Sequence, residues 1–258
     1  MAVPLCARAA RDGRWSRYRE FPSASAAVAC AWSGEPGWPR ALRVLPDGCT
    51  DVVWTGRDLV VLTPAAQARR VELVAVRWTA GVRLRCGVAG SVLGHDLGEL
   101  PSGPVPLREL WPGAERFEDS LAGAGDPGSA HRILAGLVGA RPVSRWGDVV
   151  RALAAPAARV AEVGERFGLS ERGVRRHLLR EVGLGPKPLQ RVLRFRRFVG
   201  CLDRLATGRT TLARVAAELG YADQSHLGRD CLRLAGATPA TLVAARGRNV
   251  PDIPAGEA

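Results

Sequence analysis

The feature that most constrains this chain is an internal repeat in its C-terminal part. Residues 160–186 read VAEVGERFGLSERGVRRHLLREVGLGP, and residues 212–239 read LARVAAELGYADQSHLGRDCLRLAGATP. The apolar positions, the internal glycine and the closing Gly-x-x-Pro match between the copies once a one-residue insertion is allowed. Two copies of one short unit predict two similar supersecondary structures that pack together.

Each copy has the pattern of a helix-turn-helix. A first helix of about ten residues ends at Gly168 or Gly220, where glycine can adopt the positive φ of a helix exit. Ser170 and Asp223 stand where an N-cap would begin the second helix. The sequence therefore predicts two helices joined by a tight turn in each copy.

The second helix of each copy has an apolar face and a polar face. The apolar stripe recurs at helical spacing: Val174, Leu178 and Val182 in the first copy, and Leu227, Cys231 and Leu234 in the second. The opposite face carries Arg172, Arg176 and Arg180 in the first copy, and Ser225, His226 and Arg229 in the second. An outward polar helix behind a tight turn suits insertion into a DNA major groove, although a single copy would also fit an ordinary solvated helical hairpin.

A helical stretch from Pro188 to about Leu205 joins the two copies. Its apolar residues can pack on both of them, and four arginines are expected to stay outside: Arg191, Arg194, Arg196 and Arg197. About 18 residues at ~1.5 Å each give ~27 Å. Such a spacer could place the two recognition helices near one ~34 Å turn of B-DNA apart.

Charge is distributed unevenly along the 258 residues, whose formal net charge is +12. Residues 1–150 carry 18 Arg against 15 Asp+Glu, whereas residues 151–258 carry 19 Lys+Arg against 10 Asp+Glu. All seven tryptophans lie before residue 150. The helical part thus holds most of the positive excess, which favours duplex DNA as its partner.

The first part of the chain reads as mainly β from residue 15 to residue 105. Val- and Trp-rich runs predict strands at Leu42–Leu45, Asp51–Trp54, Leu59–Leu62, Val71–Trp78 and Val82–Cys86. Thr79-Ala80-Gly81 predicts a hairpin turn, and Pro/Gly-rich residues 33–39 and 101–106 predict loops. Short helices are predicted at Leu107–Trp111, Ala114–Leu121, Ala130–Val138 and Trp146–Leu153, and only helices from Pro156 onward.

The predicted fold class is therefore α+β. A mainly β N-terminal domain with short helices is followed by an all-α C-terminal domain of two helix-turn-helix motifs joined by a linker helix. We expect a sensing or dimerisation domain over residues 1–106 and a helical connector over 107–155. The DNA-binding domain would cover 156–246, and residues 247–258 would form a disordered tail.

Several function classes lack their sequence signals. No apolar run approaches the ~18 residues that span a bilayer, and residues Met1 to Arg14 contain no apolar stretch long enough for a signal peptide, so a cytoplasmic location is expected. The six cysteines form no CxxC pair, and no HExxH, GxSxG or Walker loop occurs, so we expect no metal, no cofactor and no catalytic residue. His95-Asp96 is interpreted as structural. The alternative from another class is an enzyme fused to a DNA-binding module, such as an alkyl-transfer repair protein with a reactive cysteine.

Residues 150–246 resemble the AraC/XylS family of bacterial transcription regulators. The resemblance rests on the paired repeat, on Gly220-Tyr221-Ala222-Asp223-Gln224-Ser225-His226-Leu227, and on Gly185-Pro186-Lys187 with Arg194-Phe195. It implies a sequence-specific DNA-binding transcription factor, not an enzyme, that reads two successive major-groove segments with two recognition helices. The implied DNA contacts are Arg172, Arg175 and Arg176 in the first recognition helix, and Gln224, Ser225, His226 and Arg229 in the second. The outward linker arginines Arg191 and Arg194 are expected to contact DNA as well.

The chain departs from the family pattern at a few positions. Leu178 and Cys231 stand where an aromatic residue is usual, which implies looser packing under both recognition helices. Gly173 and Gly228 inside these helices each cost about 1 kcal/mol relative to Ala. Gly185 stands where Ser or Thr is usual before the proline.

The N-terminal region looks like the effector-type domain of one branch of this family. The likeness rests on Leu45-Pro46-Asp47-Gly48, on Asp51-Val52-Val53-Trp54 and on Gly81-Val82-Arg83-Leu84-Arg85. It implies a β-rich sensing or dimerisation module, in which Trp54, Trp78 and Arg83 are the candidates to line a pocket for a small-molecule effector, with core tryptophans or a ligand-free interaction module as alternatives. The implied partners are double-stranded DNA, RNA polymerase, the effector and a second copy in a homodimer, with no membrane.

Overall fold

The computed structural model describes residues 18–35, 40–73, 77–139 and 141–247 of the chain. Within these ranges a β-rich N-terminal part is followed by helices, which confirms the predicted α+β class. The predicted disordered tail, residues 247–258, lies outside the described residues except for Gly247, where the last helix ends.

The strands of the N-terminal part are short, and all but the first contain at least one valine or threonine, residue types that favour strands. The strands are β1 (Arg19–Pro22), β2 (Val28–Gly34), β3 (Arg40–Val44), β4 (Thr50–Trp54), β5 (Leu59–Leu62), β6 (Arg69–Leu73), β7 (Thr79–Leu84) and β8 (Pro104–Pro106). Six of them form an antiparallel sheet in the order β1-β2-β7-β4-β5-β8, and β3 pairs with β6 in a separate two-stranded sheet.

Strand β7 corrects the prediction of a hairpin turn at Thr79-Ala80-Gly81. These residues lie inside the strand, where Gly81 pairs with Trp32 of β2 on one side and with Val53 of β4 on the other. The Trp32 ring lies so close to Gly81 that a Cβ atom built there would stand 2.5 Å from the ring. The glycine therefore provides space for an aromatic side chain across the sheet rather than the backbone of a turn.

The other predicted strands are confirmed in part. Asp51–Trp54 and Leu59–Leu62 lie in β4 and β5. In the predicted run Val71–Trp78, β6 ends at Leu73, Trp78 directly precedes β7, and residues 74–76 lie outside the described residues. The loop predicted over 101–106 is wrong at its end, because Pro104–Pro106 pairs with β5 at the sheet edge. Proline is tolerated there because the outer N–H groups of an edge strand need no ladder partner.

Twelve helices lie among the described residues; the first falls within the N-terminal part and the last ends at Gly247. They are α1 (Ala89–Leu93), α2 (Leu107–Leu110), α3 (Glu115–Ala122), α4 (Pro127–Gly139), α5 (Trp146–Leu153), α6 (Val160–Arg166), α7 (Glu171–Val182), α8 (Pro186–Val199), α9 (Leu202–Ala206), α10 (Leu212–Glu218), α11 (Gln224–Ala235) and α12 (Pro239–Gly247). The four helices predicted between residues 107 and 153 are confirmed as α2 to α5, and α1 is an addition that the sequence did not indicate.

Two hydrophobic cores hold these elements together. The first joins the six-stranded sheet to α1–α4 and contains buried residues from Ala27 to Val138. The second joins α5–α12 and contains buried residues from Val149 to Leu242, with Phe195 and Phe198 fully buried at its centre. Burial of these side chains is the main force that stabilises both parts.

The single linker helix predicted over Pro188–Leu205 is wrong, because the structure has two helices there. Helix α8 begins at Pro186 and ends at Val199, and a turn at Gly200 and Cys201 leads into α9. This bend allows Leu202 to be buried and α9 to pack against α12, and glycine's low helix propensity favours the break. The straight spacer is therefore 14 residues, or about 21 Å.

Candidate nucleic-acid interface

The first helix-turn-helix unit consists of α6 and α7. Gly168 follows α6 with φ at +70°, so the chain turns without the steric cost that a Cβ atom would bring. Ser170 then caps α7, and its hydroxyl oxygen accepts a hydrogen bond from the Gly173 N–H at 3.1 Å. The predicted helix exit and N-cap are both confirmed.

The second helix-turn-helix unit consists of α10 and α11 and repeats this geometry. Thr211 caps α10 by accepting from the Arg214 N–H at 3.3 Å, and Gly220 turns the chain with φ at +73°. Asp223 caps α11 through a carboxylate that accepts from the His226 N–H at 2.6 Å. The carboxylate also offsets the positive end of the helix dipole.

The inner stripe of each second helix is buried, as the sequence predicts. None of these side chains is more than 2% exposed: Val174, Leu178, Val182, Leu227, Cys231 and Leu234. Leu178 and Cys231, which replace the usual aromatic residues, are fully buried. Both helices therefore use one face for packing and leave the other face open.

The open faces carry the side chains that the family resemblance assigns to DNA. On α7, Arg172, Arg175 and Arg176 are exposed; on α11, Gln224, Ser225 and Arg229 are exposed and His226 is half-buried. Each set lies on one helix surface, near the capped N-terminal end in both units. Their contact with DNA stays a prediction.

The two linker arginines assigned to DNA are engaged with the second unit. The Arg191 Nε lies 3.3 Å from the Asp230 Oδ1 of α11, whose side chain is only 8% exposed. The Arg194 guanidinium lies over the Tyr221 ring, 5.1 Å from its centroid, and donates to the Gly220 carbonyl oxygen at 3.5 Å. These contacts join α8 to α11 and give both arginines a role in placing the second recognition helix.

Arg196 and Arg197 were expected to be exposed on the outer face of the linker helix. This expectation is wrong, because both residues are half-buried in α8. Arg196 is half-buried and donates from Nη1 to the Asp47 carbonyl oxygen at 3.3 Å, so it joins the linker to the loop before β4. The Arg197 Nε is buried and has no hydrogen-bond partner in the described part of the chain. Burial also lowers the pKa of Arg197.

The residues predicted to line an effector pocket lie in packed surroundings. Trp54 and Trp78 are buried members of the N-terminal core. The buried Arg83 guanidinium stands within 3.5 Å of three carboxylates, those of Glu20, Asp47 and Asp51. Burial raises the pKa of Asp51 although Arg83 opposes the shift. These contacts favour a structural role for all three residues.

The cysteine environments bear on the alternative of a repair enzyme. Burial raises the pKa of Cys49 and Cys201, and it raises the pKa of Cys86 and Cys231 to about 12. A nucleophilic cysteine needs a lowered pKa, because the thiolate is the reactive form. These four environments therefore disfavour the reactive thiol that the alternative requires.

The N-terminal part contacts the first recognition helix near its C-terminal end. Glu181 of α7 is 5% exposed, and its Oε2 accepts from the Ser91 N–H at 2.9 Å and from the Ser144 hydroxyl at 3.3 Å. The Leu97 N–H donates to the Arg180 carbonyl oxygen at 2.9 Å. The buried Glu181 carboxylate thus links α7 to the N-terminal part by hydrogen bonds.

The N-terminal part also contacts the second recognition helix, through the two-stranded sheet. The Ala68 N–H, just before β6, donates to the Leu234 carbonyl oxygen at 2.7 Å. Arg43 of β3 donates from Nη1 to the Ala235 carbonyl oxygen at 2.9 Å. Both units are therefore held at the C-terminal ends of their second helices, away from the capped ends.

The roles of Glu181, Asp230 and Tyr221 at this site did not follow from the sequence pattern. Glu181 and Asp230 precede stripe residues on the inner sides of α7 and α11. A carboxylate at the edge of an apolar stripe requires a partner when it is buried, and this was the available signal. Which partner it finds depends on residues far away in sequence.

Within the described ranges, no helix is both long and apolar enough to cross a membrane.

Two family models match separate parts of the chain. Residues 163–245 match a model described as a helix-turn-helix domain, and residues 21–105 match a domain of unknown function, DUF6597. The chain therefore carries an AraC-type helix-turn-helix domain at its C-terminus and a DUF6597 domain at its N-terminus. The presence of this domain supports assignment of the chain to the DNA-binding transcription regulators. Proteins of this class are typically not enzymes.

No curated protein matches the sequence. Solved structures of ToxT from Vibrio cholerae are similar in outline over most of the chain. A 1.65 Å structure has 9% identity and a TM-score of 0.44, and covers 90% of this chain and 98% of that one. An apo variant has 10% identity, a TM-score of 0.41 and coverages of 90% and 98%. The wild-type protein bound to an unsaturated fatty acid has 10% identity, a TM-score of 0.39 and coverages of 89% and 91%.

Proposed function

We propose that the protein is a sequence-specific transcription regulator that reads two successive major-groove segments with α7 and α11. One observation carries the proposal. Two copies of a capped helix stand on one continuous core, each with a buried apolar stripe and an open polar face. This is the arrangement that places helix N-terminal residues against base edges.

The polar faces suit two kinds of contact with DNA. Arg172, Arg175 and Arg176 of α7 can neutralise phosphates and release counterions, or form bidentate hydrogen bonds with guanine. Gln224, Ser225 and His226 of α11 can read base edges, with Arg229 as a further phosphate or guanine contact. Arg191 and Arg194 would contribute mainly by holding α11 on α8, because their guanidinium groups already contact Asp230 and Tyr221.

The remaining parts of the proposal concern domains and partners. Residues 1–106 would form the sensing or dimerisation domain, 107–155 the connector, 156–246 the DNA-binding domain and 247–258 the tail. One hydrophobic core ends at Val138 and the other begins at Val149. These separate cores support the division between the sensing or dimerisation domain and the DNA-binding domain. RNA polymerase, a small-molecule effector and a second copy of the chain are the further partners that we propose. A compound that raises the melting temperature would support the effector.

Selection of genomic fragments with the purified full-length protein tests the main proposal. We expect an enriched sequence motif at physiological salt, and loss of enrichment with the double variant R176A/R229A. Recovery of no motif by the wild-type protein would contradict sequence-specific binding.

A further inference from the structure

The imidazole ring of His226 is held in one orientation at the start of α11. Its Nδ1 accepts a hydrogen bond from the Ala222 N–H at 3.4 Å, and its backbone N–H donates to the Asp223 carboxylate. The ring also meets the Tyr221 ring edge-on, with 5.2 Å between the centroids and 90° between the planes. A half-buried side chain whose ring has two such contacts, on a backbone fixed by the Asp223 cap, has little rotational freedom left.

The hydrogen bond to Nδ1 determines which ring nitrogen carries the proton. A nitrogen that accepts from a backbone N–H cannot itself bear a hydrogen, so the neutral ring has its proton on Nε2. Among the described residues, Nε2 has no hydrogen-bond partner. The ring therefore presents a single N–H donor that none of the described residues uses.

Tyr221 is the residue whose ring packs against the His226 imidazole. It is 4% exposed, and the Arg194 guanidinium covers its ring. Burial, with the Asp230 carboxylate nearby, raises the pKa of Tyr221, and its hydroxyl has no hydrogen-bond partner in the described chain. The ring of Tyr221, rather than its hydroxyl, is thus what positions His226.

From these contacts we infer that His226 is a specificity determinant that offers Nε2–H to an acceptor on a base edge, with Tyr221 as its positioning residue. This inference rests on the proposed function. Guanine presents N7 and O6 acceptors in the major groove, adenine presents N7 and thymine O4, whereas cytosine presents only the N4 amino donor. His226 would therefore select against cytosine at one position of the site.

The test is selection from randomised duplexes with purified full-length variants, with affinities measured afterwards on single-base variants of the recovered site. For the wild-type protein we expect about tenfold weaker binding when cytosine occupies the His226 position. H226A should lose this discrimination at that position alone, and H226Q, which supplies an amide donor, should keep part of it. Y221F should behave as the wild type, whereas Y221L should lose discrimination as H226A does.

The outcomes separate this inference from the function on which it rests. If the wild-type protein recovers no motif, the proposed function fails. If it recovers a motif and H226A weakens all duplexes equally, His226 contacts phosphate and the inference is overturned. Thermal unfolding of each variant shows whether Y221L is folded, and the comparison of H226A with H226Q decides the question without Y221L.

Discussion

The two helix-turn-helix units share their backbone design and differ in what surrounds their second helices. Arg176 and Arg229, Leu178 and Cys231, and Glu181 and Leu234 occupy equivalent positions of the repeat. The buried stripe, the cap and the glycine turn are kept in both units. The outward face is rich in arginine on α7 and largely neutral and polar on α11.

This difference suggests that the units make unequal contributions to DNA binding. Arginines supply affinity through counterion release whatever the sequence, whereas amide, hydroxyl and imidazole groups discriminate among base edges. The anchoring differs as well. The first unit meets the N-terminal part through the Glu181 side chain, whereas the second unit meets it through the backbone carbonyls of Leu234 and Ala235. The Arg191–Asp230 ion pair also joins the second unit to the linker. The buried apolar stripe is kept in both units and does not depend on the residues of the open face. The same helix-turn-helix fold can therefore contact DNA mainly through arginines in one unit and mainly through neutral polar groups in the other.

The largest effect is expected from the equivalent buried pair Leu178 and Cys231. Leu178→Ala removes a fully buried side chain and should lower the free energy of unfolding by about 2–5 kcal/mol. Cys231→Ala removes a single heavy atom and should cost about 1 kcal/mol. Urea denaturation of both variants measures the difference, and equal losses would mean that the Cys231 site is more sensitive, per atom removed, than the Leu178 site.

A second comparison concerns Glu181, whose equivalent in the other unit is Leu234. Glu181→Ala leaves the half-buried Ser91 N–H without its acceptor and should lower the free energy of unfolding by about 1–3 kcal/mol. Glu181→Gln keeps an oxygen acceptor of the same shape and should cost less. Chemical denaturation of the two variants provides the measurement. A loss that is the same for both would mean that the charge, not the acceptor, matters at this junction.

A third comparison is between Arg176 and Arg229 in DNA binding. Each Ala variant should weaken binding to the selected site by about 1–3 kcal/mol if the arginine makes a bidentate guanine contact. Titration on the selected duplex and on a random duplex, at several salt concentrations, measures this. Equal loss on both duplexes, with a salt slope smaller by about 1, would reassign that arginine to phosphate.

The smallest effect is expected at Gly228, on the second recognition helix. No atom lies within 4 Å of a Cβ built there, so Gly228→Ala should raise the free energy of unfolding by about 0.5–1 kcal/mol. Gly236→Ala is the matched control and should lower it, because Gly236 ends α11 with φ at +63°. Thermal denaturation of both variants would detect the opposite signs of the change in the free energy of unfolding. A lower free energy of unfolding for Gly228→Ala would mean that this position of α11 requires glycine.

The sequence predicted what depends on local periodicity. The stripes, the caps at Ser170 and Asp223 and the two glycine turns follow from spacing within about 25 residues, and the structure has all of them. The unbroken linker helix was wrong because the burial of Leu202 and the packing of α9 on α12 depend on residues far along the chain. The hairpin at Gly81 was wrong because the space for Trp32 arises only when β2 and β7 pair.

Part of the candidate site was equally hidden from the sequence. The outward residues of α7 and α11 follow from the helical period. The contacts of Arg191 and Arg194 require knowledge of how α8 crosses α11, and the contacts of Glu181 require Ser91 and Ser144 from the N-terminal part. Tertiary contacts of this kind decide which arginines remain open to DNA.

The central claim is that both units bind one DNA duplex in successive major-groove segments. Hydroxyl-radical footprinting on the selected site tests it most directly, with the wild-type protein, Arg176→Ala and Arg229→Ala. We expect two protected patches about one helical turn, or ~10 base pairs, apart, with each variant weakening a different patch. A single protected patch, or loss of the same patch in both variants, would contradict binding by both units.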